Sequence, residues 1–364
     1  MYKEEMTLTF LVSMIVAVFS IQRIVRFASS KNLYDVPDER KIHTRKISNL
    51  GGAGVFMASI FSYFAFSNIP LFPRPDTLFA VAILLFFVGL KDDIEPIKPI
   101  RRLIYEAICA VFIIYFTDVR IPSLFGIFGV NELPYWISCI FTVIFFLGCI
   151  NAYNMIDGID GLLGSLSFLG VLAFGLLLLS AGQVLWALLC ASVGGALFAF
   201  LIYNWYPARI FMGNGGSMFL GTLFACLSLR FMQLGAISLS YFNQNLSLEI
   251  VMPHTIALSI IAVPIFDMLS VFIIRIWNKQ SPFQADKRHT HHRLLDIGLS
   301  QRKTVVTIVL SNIAIVFFAY YVQDTGALRS LLYTILFCSF LQAVLMLLHW
   351  RWFAHHQKSS VESH

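Results

Sequence analysis

A chain of 364 residues that is 58% apolar and only 13% charged, with a mean hydropathy of +0.77, lies outside the composition of soluble globules, which run near half apolar and a quarter charged. Its 35 Phe and 15% aromatic content exclude disorder, collagen-like repeats and a disulfide-stapled scaffold. The net charge of +6 and pI near 9.0 would suit a nucleic-acid binder on a soluble chain, so the placement of the cations decides.

Apolar runs cover Thr7–Phe27, Gly51–Phe72, Thr77–Leu90, Leu103–Phe116, Pro134–Ile150, Leu162–Ala181, Val184–Ile202, Met218–Leu234, Ile250–Ile274, Val305–Val322 and Ala327–Trp350. Most approach the roughly 20 residues that cross a bilayer, whereas the third and fourth are shorter and need polar flanks to join the helix. Continuous runs fit helices, not the alternation of barrel strands. The expected fold is therefore an all-α, polytopic integral membrane protein of about eleven transmembrane helices, one domain over 1–350 with a tail over 351–364. Of the 26 Lys and Arg, 21 fall at alternate junctions and the C-terminus, leaving Lys3, Arg74, Arg120, Arg230 and Arg329 opposite. The positive-inside rule then puts the N-terminus outside and the C-terminus in the cytoplasm. The leader Met1-Tyr2-Lys3-Glu4-Glu5 has no basic n-region, so the first span is expected to be retained. The six cysteines lie within spans without paired spacing and read as packing.

The inside junctions, near 28–50, 91–102, 151–161, 203–217 and 275–304, carry the chemistry. In the first, Arg40, Lys41, His43, Arg45 and Lys46 either hold a phosphate or mark the inside face. Asp92 and Asp93 end the third span. Adjacent carboxylates repel, so a cation, a basic cluster or protonation must compensate them, unless they form a solvated turn. In the segment Asn151–Gly161, Asn151, Asn154, Asp157 and Asp160 recur at every third position of an apolar stretch. Such a repeat holds one line only in a 3₁₀-like segment, which predicts a distorted helix end loosened by Gly158 and Gly161. No Lys or Arg lies in that junction, so a bound cation is the economical partner of Asp157 and Asp160.

Asn204 opens the segment that ends Gly213-Asn214-Gly215-Gly216-Ser217. Glycines before a Ser N-cap let backbone N–H groups converge on a phosphate, although the same residues make an ordinary loop. Asp267, after Pro264, falls inside the ninth run and must be paired or face a polar cavity. Beyond it, His289, His291, His292 and Arg293 sit with Lys287 and Arg288. That cationic setting favours an anionic phosphate ligand over a metal, with lipid head-group binding as the plainer alternative. Carboxylates, amides and basic loops on one membrane face point to metal-dependent phosphate chemistry, in which positioning and charge neutralisation do most of the catalysis.

Five motifs occur in chain order: Pro37-Asp38-Glu39-Arg40-Lys41-Ile42-His43 with Gly51-Gly52; Asp92-Asp93; Asn154-Met155-Ile156-Asp157-Gly158-Ile159-Asp160-Gly161-Leu162; Phe211-Met212-Gly213-Asn214-Gly215-Gly216-Ser217; and His289-Thr290-His291-His292-Arg293-Leu294-Leu295. Over most of the chain this order resembles the polyprenyl-phosphate N-acetylhexosamine-1-phosphate transferases. The resemblance implies a magnesium-dependent phosphotransferase of the bacterial inner membrane, with manganese as a substitute. It would move a sugar 1-phosphate from a UDP-N-acetyl sugar to undecaprenyl phosphate and release UMP. The implied partners are UDP-N-acetylglucosamine, undecaprenyl phosphate and membrane lipids, with a second copy of the chain as a candidate and no nucleic acid. By resemblance Asp92 or Asp93 accepts a proton from the lipid phosphate or positions it, and Asp157 and Asp160 hold the magnesium and diphosphate region with Asn154 alongside. His43, Asn204, Gly213, His289, His291, His292 and Arg293 would contact substrate. The His-x-His-His-Arg-Leu-Leu form resembles the branch that starts O-antigen, common-antigen or teichoic acid chains with GlcNAc 1-phosphate. The peptidoglycan branch, which acts on UDP-MurNAc-pentapeptide, carries three consecutive histidines.

One position departs from the pattern. Asn214 stands where the family has an Asp that ligates the metal, and an amide removes one negative charge from a hard-cation site. The departure implies reduced activity or an inactivated form. Two readings of other classes remain at this level: a flippase for an anionic lipid-linked sugar that uses Asp267, and a silent homologue that binds nucleotide sugar as a sensor.

Overall fold

The computed structural model describes residues 2–31, 47–68, 75–238, 249–281 and 288–361, without the side chains of 353–361. Among these residues the helices in chain order are α1 (Lys3–Lys31), α2 (Gly51–Phe66), α3 (Asp76–Ile94), α4 (Pro99–Thr117), α5 (Tyr135–Met155), α6 (Leu162–Ser180), α7 (Val184–Asn204), α8 (Gly213–Met232), α9 (Pro253–Ile260), α10 (Ala262–Trp277), α11 (Thr290–Asp296), α12 (Gln301–Val322) and α13 (Ala327–Val361). The only sheet among them is a two-residue hairpin, β1 (Ile237–Ser238) with β2 (Glu249–Ile250). Seven helices are long and apolar enough to cross a membrane, and the bent pair α9–α10 makes an eighth. The chain is a multi-pass membrane protein, nearly all helical among the described residues.

Among the described residues each expected apolar run lies for the most part on helix. The two short runs grow by recruiting polar flanks: α3 takes in Lys91, Asp92 and Asp93, and α4 begins at Pro99, where the ring's fixed φ suits a first helical position. The ninth run is broken by a 70° bend. Pro264 has no N–H to offer the carbonyl of Ile260, and the Asn312 side chain donates to that oxygen at 3.1 Å instead. At the chain end, α13 continues past Trp350 to Val361, so much of the expected tail is helical.

Helix α8 is the axis of the bundle, packed against α3 and α5 and flanked by α2, α6 and α9. Its glycines are what let three neighbours come so close. A Cβ on Gly216 would lie 2.6 Å from the Gly52 Cα, and one on Gly89 would meet the Gly215 backbone at 2.5 Å. In a bilayer, where lipid is as apolar as Leu, such close packing replaces the hydrophobic drive between helices. The Gly-rich run is therefore helix–helix contact rather than an open phosphate loop. The helix also starts at Gly213, four residues before the expected Ser N-cap.

Candidate active site

The last turns of α3, α5 and α7 and the first turns of α4, α6 and α8 meet at one end of the bundle. Backbone pairing draws two segments there: Phe211 N–H donates to Ser48 O, Gly51 N–H to Phe211 O and Gly52 N–H to Met212 O, at 2.8–2.9 Å. His43 and its basic neighbours Arg40, Lys41, Arg45 and Lys46 lie outside the described residues, as does Lys287.

Asp92 and Asp93 find different partners. Asp93 accepts from the N–H groups of Asn214 at 3.0 Å and Gly215 at 3.5 Å, a carboxylate at the positive end of α8, where a phosphate had been expected. Asp92 accepts from Ile97 N–H at 2.6 Å through one oxygen. Its other oxygen faces the Asn214 amide at 3.1 Å and the Arg102 guanidinium at 3.6 Å.

Helix α5 ends at Met155 and the chain turns through Asp157–Gly161, where Gly161 adopts φ +81°, the distorted helix end expected from the glycines. The three-residue repeat consequently splits. Asn151 and Asn154 remain on the helix and face α4 and α8. The Asn154 amide donates to Asn214 Oδ1 at 2.6 Å and to Ser217 Oγ at 2.9 Å. Asp160 turns the other way, buried, and accepts from Ala208 N–H at 2.9 Å. Asn204 is buried beside it, accepting from Gly161 N–H and donating to Ile210 O, and so ties the turn to the segment after α7. Asp157 lies between, accepting from the backbone N–H of Gly213. Burial first, then the charges of Asp93 and Asp160, push its carboxyl up to about 7, and the Gly213 N–H only partly offsets them.

The histidine segment folds over this turn. His289 Nδ1 meets Asp267 Oδ2 at 2.7 Å, and Thr290 N–H donates to the other Asp267 oxygen at 2.7 Å, so the intramembrane carboxylate is paired and anchors the start of α11. His289 stacks on His291, which leans against His292 with ring centroids 4.4 Å apart. His291 packs on Gly158 so tightly that a Cβ there would sit 2.3 Å from Nε2. Burial, reinforced by His292, pulls the His291 ring down to about 3, so it is neutral at physiological pH. Both of its ring nitrogens are buried without a hydrogen-bond partner among the described residues. Such groups are rare because each forfeits its solvation, and they mark where a ligand is expected. Arg293 is buried on the same short helix.

These convergent motifs match known proteins. A model of glycosyl transferase family 4 matches residues 77–232. A Salmonella typhi undecaprenyl-phosphate alpha-N-acetylglucosaminyl 1-phosphate transferase is 33% identical over 309 residues, 82% of this chain and 80% of the relative. The chain belongs to glycosyl transferase family 4. The "Probable undecaprenyl-phosphate N-acetylglucosaminyl 1-phosphate transferase" of Bacillus subtilis (strain 168) is 32% identical over 83% of this chain and 80% of its own length. The decaprenyl-phosphate N-acetylglucosaminephosphotransferase of Mycobacterium tuberculosis (strain ATCC 25618 / H37Rv) is 29% identical over 84% and 80%.

The donor set of this family 4 chain bears on the metal. Among the described residues no three His, Cys, Asp or Glu side chains converge to cage an ion, and Asn214 Oδ1 is held by Asn154. Asp157 nevertheless carries a charge that its surroundings oppose, which a cation relieves. Magnesium ordinarily takes one or two carboxylates and completes its shell with water and substrate phosphates. The residues fit that mode of binding.

The sequence shows Glu106 inside the fourth apolar run but assigns neither it nor Arg102 to the site. Arg102 donates to Asn151 Oδ1 at 2.7 Å and Asn154 Oδ1 at 3.3 Å, and it lies 3.3 Å from Glu106, which is fully buried. The available signal was an acidic residue inside an apolar run with a basic residue four positions before it.

Proposed function

We propose that the chain transfers N-acetylglucosamine 1-phosphate from UDP-GlcNAc to undecaprenyl phosphate at the cytoplasmic face of the inner membrane. An oxygen of the lipid phosphate attacks the sugar-linked phosphorus, the bond to the UMP phosphate breaks, and undecaprenyl-pyrophosphoryl-GlcNAc and UMP leave. The observation that carries this reading is the convergence at one end of the bundle of Asp157, Asn154, Arg102 and the unpartnered His291. It supports a reading in which a carboxylate for a cation, a guanidinium for a phosphate and a histidine for the nucleotide lie within one small region.

The lipid phosphate is largely ionised at pH 7, since a phosphomonoester loses its second proton near 6. The work at the site is therefore positioning and neutralisation rather than proton removal. Arg102 offers a cation beside Asp92, and Asn154 offers an amide aligned by Arg102. Asp92 and Asp93 position the acceptor through the α8 N-terminus they hold, and His289, His291, His292 and Arg293 face the nucleotide diphosphate. Asp157 would hold magnesium, or manganese in its place, with Asn214 Oδ1 joining if it leaves Asn154. The metal supplies neutralisation of the diphosphate when bound. Purified protein in lipid nanodiscs with UDP-GlcNAc, undecaprenyl phosphate and Mg²⁺ is expected to release UMP. Absence of UMP, with the Asn214→Asp variant equally silent, would overturn the reading; a panel of UDP-sugars in the same assay fixes the sugar.

A further inference from the structure

Glu106 is a carboxylate at this site to which the proposed chemistry gives no role. It lies inside the apolar stretch of α4 with no solvent exposure, a placement that is expensive in a membrane protein. Stability does not account for it, because a buried ion pair replaced by apolar side chains of similar volume is often neutral or stabilising.

Its hydrogen bonds show what it does. A carboxylate only accepts and a guanidinium only donates. Glu106 Oε2 takes the Asn151 amide N–H at 2.6 Å, and Leu147 O takes the same nitrogen at 2.9 Å. The Asn151 oxygen is thereby turned to Arg102 at 2.7 Å. Arg102, steered on its Nε side by Glu106 at 3.3 Å, donates to Asn154 Oδ1 at 3.3 Å. Asn154 must then present its two N–H bonds to Asn214 Oδ1 and Ser217 Oγ, at 2.6 and 2.9 Å. Asn214 finally points its own N–H at Asp92, 3.1 Å away. One sealed carboxylate sets which end of three successive amides faces the site through Oε2, while among the described residues Oε1 has only the ionic contact with Arg102. It also occupies the Nε side of Arg102 and so opposes its collapse onto Asp92, which is 3.6 Å from the other side of the guanidinium.

We propose that Glu106 is a positioning residue that sets the orientation of Arg102 and the polarity of the Asn151–Asn154–Asn214 relay. The proposal rests on the transferase reading for its catalytic consequence, but its structural content stands apart from it. Glu106→Gln keeps shape and an acceptor while removing the charge, and it is expected to lower kcat/KM for UDP-GlcNAc by ~10–100-fold, as loss of a supporting partner does elsewhere. Asn151→Asp alone sets two carboxylates against each other and is expected to be as damaging. In the double variant the Gln N–H donates to the new carboxylate, whose other oxygen receives Arg102, so activity is expected to rise above both single variants while staying below the parent, because that carboxylate no longer donates to Leu147 O. A role in packing alone predicts losses that accumulate.

The same proteins labelled with ¹⁵N-arginine give a readout that needs no turnover. The Arg102 Nε–H resonance, assigned by its disappearance in Arg102→Lys, should be sharp and slowly exchanging in the parent, lost in Glu106→Gln and recovered in the double variant. Full activity with an unchanged resonance in Glu106→Gln overturns the proposal, and so does a double variant no better than the worse single with that resonance still lost. A parent that releases no UMP, with Asn214→Asp equally silent, sinks the transferase reading instead, and the resonance still decides Glu106.

Discussion

Asn214→Asp is the perturbation that tests most of the site at once. In the parent, the Asn214 N–H bridges to Asp92 at 3.1 Å while Oδ1 receives Asn154, so the amide does internally what a cation between two carboxylates would do. A second carboxylate there faces Asp92 at close range. Two unit charges about 4 Å apart at an effective dielectric near 20 repel by about 4 kcal/mol. Arg102, 3.6 Å from the same Asp92 oxygen, offsets part of this, leaving a net loss of ~2 kcal/mol for the metal-free variant. Magnesium reverses the sign, because the added charge now attracts a divalent ion that Asp157 already favours. The variant should therefore melt below the parent in EDTA, gain more than the parent from Mg²⁺, and release UMP with a magnesium half-saturation at least ~10-fold lower, equivalent to about 1.4 kcal/mol. Thermal unfolding and UMP release across a Mg²⁺ series read both effects. Equal melting in EDTA together with an unchanged magnesium dependence would refute the placement of residue 214 in the metal region.

Two further predictions concern the turn after α5. With its carboxyl pushed up to about 7, Asp157 must lose a proton to bind metal, so the apparent Mg²⁺ affinity is expected to fall about tenfold per pH unit below 7. Its value lies above the ordinary 3.8, so the charged form opposes folding increasingly as pH rises from about 4 to 7; Mg²⁺ should accordingly raise the melting temperature more at pH 8 than at pH 5.5, and equal shifts would contradict this. Gly158→Ala puts a methyl 2.3 Å from His291 Nε2 and must displace the ring; titration calorimetry is expected to show UDP-GlcNAc binding weakened by ~10–100-fold, with the variant still folded.

What the sequence made legible follows from where the relevant physics is local. Helix positions were readable because apolar length alone decides them, and the junction motifs were readable because Asn, Asp, Gly and His are conspicuous against a lipid-like background. Pairings across the bundle were not. Gly215 and Gly216 carry the same letters in a phosphate loop and in a helix crossing, and only the approach of Gly89 and Gly52 distinguishes them. The three-residue repeat predicted a distorted helix end but not which way each carboxylate turns: Asp160 goes to Ala208 and Asp157 to Gly213. Arg102 was counted as one more inside cation because its partners on α5 lie 49 and 52 residues away.

The electrostatics of the site also constrain the order in which ligands arrive. Each of these four aspartates accepts from backbone N–H: Asp92 from Ile97, Asp93 through one oxygen from Asn214 and through the other from Gly215, Asp157 from Gly213 and Asp160 from Ala208. They are thus held in place before any ligand binds, which is what preorganisation requires. Carboxylates so placed repel a diphosphate, and a single carboxylate with a tethered amide is an incomplete cage for magnesium. Neither ligand is well bound alone, whereas together the ion screens the diphosphate from Asp157 and the phosphate oxygens complete the ion's shell. Binding energies linked in this way are reciprocal. Saturating UDP-GlcNAc should therefore tighten magnesium by the same factor that saturating magnesium tightens UDP-GlcNAc, in calorimetric titrations run in either order without lipid acceptor. The factor should shrink toward one in Asp157→Asn. A full-sized coupling in that variant would move the ion away from the α5–α6 turn and onto His289, His291 and His292.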